Sequence, residues 1–210
     1  MANETFVPRG SLAPDFASAG NWSGGTVPGL GTIAVLAGVT ASVDPQTSLS
    51  AHIILQGDAA LSGNDGGFLL GLGSAVEVAG ANALFGDGAV VNHGAISLGE
   101  GAALRVVVEN GADGIAQSYG LEVPSFENLG RISIGAGAVL AVDGTEFSNQ
   151  GHILIDGGTL KISGGGVDGG QNSEPGGGNI TLTSGGTAIF EDAVANQEID
   201  FAGEGTLVIA

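Results

Sequence analysis

The chain has no cysteine, one tryptophan, one tyrosine and only four lysine or arginine residues in 210. Without cysteine there are no disulfides, no thiolate metal sites and no cysteine nucleophile. The four cations are Arg9, Arg105, Arg131 and Lys161, set against 22 acids for a net charge of −18. Phosphate neutralisation needs clustered Lys and Arg, so nucleic acid is excluded as a partner. Anionic membrane surfaces are disfavoured for the same reason. No run of apolar residues is long enough for a helical membrane span. The first residues, MANETFVPRGSLAP, contain no apolar core of a secretory signal. A removed leader, or a secretion signal C-terminal to this fragment, would fit. Val7–Ser11 reads VPRGS, resembles a thrombin-cleavage linker, and takes no part in the fold reasoning.

What the chain has instead is glycine, 41 residues, with 43% hydrophobic and only 12% charged residues. Glycine and β-branched residues are poor helix formers, and the hydrophobicity is too high for disorder. Glycine shows no three-residue period, which excludes collagen. The remaining class is all-β, in one elongated domain.

An internal repeat organises that domain. Asn128-Leu-Gly130-Arg-Ile132-Ser-Ile134 is followed by Leu140 and Val142, and Asn149-Gln-Gly151-His-Ile153-Leu-Ile155 by Leu160 and Ile162. Asn92, Gly94, Ile96, Leu98, Leu104 and Val106 repeat the pattern upstream. A fixed period near 20 residues, built of short alternating runs, predicts a single-stranded parallel β-helix, or β-solenoid, rather than a hairpin sandwich. Like residues then stack on like. Asn128 is expected above Asn149, with amides bonded in a ladder. Asn-x-Gly is expected to turn the corner, Asn by tolerating left-handed geometry and Gly by offering positive φ.

The expected organisation is an irregular N-terminal lead-in over 1–20 and a solenoid over 21–210. Trp22, within the turn-rich NWSGGTVPG, is expected to cap the first coil, because a terminal repeat has no neighbour to cover its core. Thr32–Leu36, Gly38–Val43, Ser50–Leu55, Ala59–Ser62 and Ala75–Val78 read as strands, and Phe68–Leu72 as a fully buried one. Asn179–Thr183, Gly186–Phe190, Glu198–Phe201 and Gly205–Ile209 continue the series. The repeat breaks at 107–124 and 164–178, where insertions are expected to loop out and bind.

NWSGGTVPG, the NxGxIx(I/L)…L repeats and the closing IDFAGEGTLVI together resemble secreted bacterial β-helix surface proteins. These are autotransporter passengers, filamentous-haemagglutinin-like proteins and large repeat adhesins. The resemblance spans Asn21 to Ala210 and implies a right-handed helix at the cell exterior. It carries no catalytic residue. A translocating barrel and a signal peptide, both part of the autotransporter pattern, are not in this sequence.

Candidate sites are few. Asp65, Asp113, Asp143, Asp156 and Asp168 stand beside glycine in turns, where Ca²⁺ could be held, although Asp-Gly is also a plain turn signal. His52, His93 and His152 lack ligand spacing. Glu191, Asp192, Glu198 and Asp200 are the nearest thing to a hydrolase carboxylate pair. The leading expectation is a non-enzymatic, extracellular structural and adhesive module binding a host or matrix glycan or protein. The competing expectations are a subunit that stacks end to end on itself into filaments or a coat, and a carbohydrate-active enzyme.

Overall fold

The computed structural model describes residues 2–8, 14–44, 47–63, 67–87, 89–109, 125–143, 146–169 and 178–210. Among them there is no α-helix; a 3-10 turn at Ala19–Asn21 accompanies the strands. All pairings between strands among the described residues are parallel, and one isolated bridge, Phe6 to Trp22, is antiparallel. Sixteen strands form one sheet and seven a second.

The larger sheet folds over at its longest strand, Ala75–Asp87, and so has two arms. The first half of that strand pairs with His52–Gly57 and Ala95–Leu98, the second half with Ala60–Gly63 and Ala103–Glu109. Gly80 lies at the bend with φ 105°, and a Cβ there would come within 2.8 Å of the Gly57 carbonyl oxygen. The chain visits the first arm, the second arm and the smaller sheet in turn, then returns to the first. Ile132 and Ile153, 21 residues apart, are direct partners in this circuit.

The alternation of each strand explains the packing. On the first arm Ile53, Val76, Ile96, Ile132, Ile153 and Ile180 follow one another in register, each buried. Leu104, Leu140 and Leu160 do the same on the second arm. On the smaller sheet Phe126 and Phe147 pair with ring centroids 5.4 Å apart. These rows meet in one continuous core. Each Ile or Leu removed from water contributes roughly 1.5–3 kcal/mol.

Several boundaries differ from the sequence reading. Residues 1–20 are not simply irregular: Ala2–Thr5 is a strand paired with Thr32–Val35. Phe16 N–H donates to Ser42 O at 2.7 Å, on the other arm. Phe68–Leu70 ends two residues early and Leu72 is 80% exposed, because the chain turns there and sends Leu72 outward. Val107–Glu109 belongs to the strand Ala103–Glu109, so the first break shrinks to 110–124, outside the described residues. Asn92 pairs directly with Asn128, so the 36-residue interval is still one circuit. Within the second break Val167–Asp168 is a strand of the smaller sheet, and 170–177 lie outside the described residues.

At the far end of the strand order lie Glu198–Phe201 and Gly205–Ile209. Phe201 is 52% and Ile209 62% exposed, whereas their partners Leu182 and Phe190 are fully buried.

Candidate functional sites

The most ordered polar feature is internal. Asn92, Asn128 and Asn149 end three successive strands of the smaller sheet and are completely buried. Asn92 Nδ2 donates to Asn128 Oδ1 at 2.8 Å, and Asn128 Nδ2 donates to Asn149 Oδ1 at 2.7 Å. Asn149 Nδ2 in turn donates to Gln197 Oε1 at 3.1 Å. Asn128 and Asn149 each donate and accept along the row, and Asn92 Oδ1 accepts from Gly94 N–H at 3.1 Å, which satisfies groups that would otherwise destabilise the interior. Gln197 is a residue that sequence reasoning missed. In register Asn149 is followed by Gly169 and then Asn196, which takes φ 53° and donates to Asp168 at 3.3 Å, leaving Gln197 to reach inward.

The corner geometry also corrects the expectation for Asn-x-Gly. Positive φ among described non-glycine residues occurs only at Ser184 and Asn196, and Gly94, Gly130 and Gly151 are not among the positive-φ glycines. Glycine is required there by contact. A Cβ on Gly130 would lie 2.1 Å from Gly94 O, and one on Gly151 2.1 Å from Gly130 O.

The three described candidate calcium ligands, Asp143, Asp156 and Asp168, are not brought together. Asp65 and Asp113 lie outside the described residues. Asp143, Asp156 and Asp168 end strands on the second arm, the first arm and the smaller sheet, three different junctions. Asp143 is engaged by Arg105 Nε at 2.7 Å and Ser163 Oγ at 2.8 Å. The Arg105 hydrogen bond holds its carboxyl below the usual carboxylate range, partial burial opposes this, and Ser163 reinforces it. Hydrogen bonds from Ser184 and Thr183 likewise lower Asp156. No group of three or more His, Asp or Glu able to hold a metal occurs among the described residues.

Of the remaining candidates, Glu191 accepts an ion pair from Lys161 at 2.9 Å, which raises the lysine above its ordinary value. Asp200 accepts from Asn179 Nδ2. His52 Nε2 lies 2.9 Å from Glu77. His93 and His152 border one cleft with Arg131, a grouping that periodicity alone hints at, since Arg131 and His152 hold the same position in successive repeats. Trp22 is buried, 4.8 Å centroid to centroid from both Phe6 and Phe16, with its indole N–H donating to Phe16 O at 2.8 Å.

Comparison with protein-family models, with curated proteins and with solved structures finds no match to this chain.

Proposed function

We propose that the chain is a right-handed parallel β-solenoid that serves as a non-enzymatic structural and adhesive module at the exterior of a bacterial cell. The observation that carries this reading is the in-register amide row Asn92–Asn128–Asn149, which ties successive circuits side by side. A right-handed course agrees with the general preference for parallel crossovers. Stacked circuits make a stiff scaffold whose length grows by about 4.8 Å per turn. The acidic exterior, net −18, keeps such a sheet-rich surface dispersed. Of Arg131 and Lys161, the bases an elimination enzyme could use, Lys161 is committed to Glu191.

Adhesion is assigned to the breaks in the repeat, 110–124 and 170–177, because insertions leave the stacked core untouched. The test is a glycan and matrix-protein binding screen of the intact chain beside a variant with 110–124 replaced by a short Gly-Ser linker. Binding that disappears in the variant while its circular dichroism is retained supports the reading. No binding to any glycan or matrix protein contradicts the adhesive part.

End-to-end stacking into filaments is the second reading, favoured by the exposure of Phe201 and Ile209 on the last strands. At the opposite end Phe6, Phe16 and Trp22 already lie over the core, so a second copy meets a covered surface there. Electron microscopy showing only dispersed single particles would remove this alternative.

A further inference from the structure

We propose that the cleft where the smaller sheet turns into the first arm binds a single carboxylate group. The cleft measures about 330 Å³ and is bordered by Ser74, His93, Leu129, Arg131 and His152, with Gly94 and Gly130 at its back. Arg131 and His152 are direct register partners on adjacent strands, both exposed. His93 is one circuit earlier, in the turn after Asn92.

Two independent observations point to an anionic occupant. The first is charge. Arg105 and Lys161 each have a carboxylate, at 2.7 and 2.9 Å, while Arg131 has no ion-pair partner among the described residues. In a chain with 22 acids and four fixed cations, this guanidinium stands in a cleft with two imidazoles. Guanidinium recognises carboxylate through two parallel N–H donors, and imidazole supplies further donors beside it. The second is Ser74. It is 3% exposed, lines the same cleft, and its Oγ has no hydrogen-bond partner among the described residues. A buried hydroxyl left unpaired is destabilising, so an acceptor in the cleft would satisfy it.

The surroundings narrow the ligand. Glu127 lies near His93, Glu77 is held by His52, and the net charge is −18. That field repels a polyanion far more strongly than one carboxylate on a neutral body. Leu129 offers that body an apolar edge. A uronic sugar and a peptide C-terminus share this chemistry. None of the residues lining the cleft belongs to the repeat breaks, so its failure and the failure of the adhesive reading are distinguishable.

The test is titration of the isotope-labelled full chain, followed by amide resonances, at constant ionic strength. The probes are glucuronate, N-acetylalanine, glucose and sulfate. Saturable shifts at Gly94, Gly130, Arg131 and His152 with either carboxylate, and none with glucose, are expected; whichever carboxylate responds more strongly identifies the source. Arg131→Gln, an exposed change, should weaken binding about tenfold or more. Ser74→Ala should also weaken binding while leaving the melting temperature unchanged or higher, since it removes an unpaired hydroxyl. No saturable shift with either carboxylate, an equal response to glucose, a response to sulfate alone, or an Arg131→Gln variant that titrates like the parent would each overturn the proposal.

Discussion

Asn128 is the residue on which most depends, because it is both donor and acceptor in the buried row. Asn128→Ala leaves Asn149 Oδ1 without its partner and Asn92 Nδ2 with only its 3.4 Å bond to Arg131 O, and an orphaned buried group costs about 1–3 kcal/mol. Urea unfolding should therefore show a loss of several kcal/mol; a loss no greater than at an exposed serine would contradict the role given to the row. Gly130→Ala makes a different point. A Cβ placed 2.1 Å from Gly94 O forces adjacent circuits apart, with a loss of roughly 1–3 kcal/mol although no hydrogen-bonding group is removed. If φ were the reason for glycine, alanine would instead be strained by its own backbone, and at Gly130 it is not. Glu127 carries a pH signature. Burial raises its carboxyl above the ordinary range, against the opposing influence of His93. Its contribution is then most favourable below the ordinary carboxylate value and is lost as pH rises through the raised one. Glu127→Gln keeps an acceptor for Gln150 and should be more stable than the parent at pH 7, with the difference vanishing near pH 3.5. The asparagine stack was legible in the sequence because its period is open to view. The glycine's reason was not, since closeness between chain segments leaves no mark in a local motif. Asp beside Gly marks any tight turn, so Asp143, Asp156 and Asp168, at three different junctions, look alike in one dimension.

At the scale of elements, the N-terminal segment does what a further circuit would otherwise do. Ala2–Thr5 extends the first arm, and Phe6, Phe16 and Trp22 pack together at the N-terminal end of the core. Trp22→Ala removes two edge-to-face contacts and the bond to Phe16 O, and should cost about 3–5 kcal/mol by thermal circular dichroism. A change under 1 kcal/mol would mean that the segment merely rests on the core. The tryptophan among turn residues was visible as an unusual end. The strand before it was not, because ANET has neither alternation nor β-branched weight beyond its threonine. The short strands of the smaller sheet were equally hidden. Ser48–Leu49 and Val194–Ala195 are two residues each, too brief for any periodic signal, and only their neighbours in the circuit define them.

For the whole molecule, the central claim is that successive circuits lie in register, so that residues far apart in the chain become close neighbours. Ser97, Ser133, Leu154, Thr181 and Asp200 form one outward row. Adjacent members should be about 4.8 Å apart and members two circuits apart about twice that. The absence of cysteine makes this directly measurable. Cysteines introduced at Ser97 and Ser133 lie 36 residues apart in sequence yet at a separation compatible with a disulfide. Under mild oxidation of dilute protein, Ser97→Cys/Ser133→Cys should close an intramolecular disulfide nearly completely, while Ser97→Cys/Leu154→Cys should remain reduced. Equal cross-linking of both pairs, or none of the first, would contradict the stacked-circuit account.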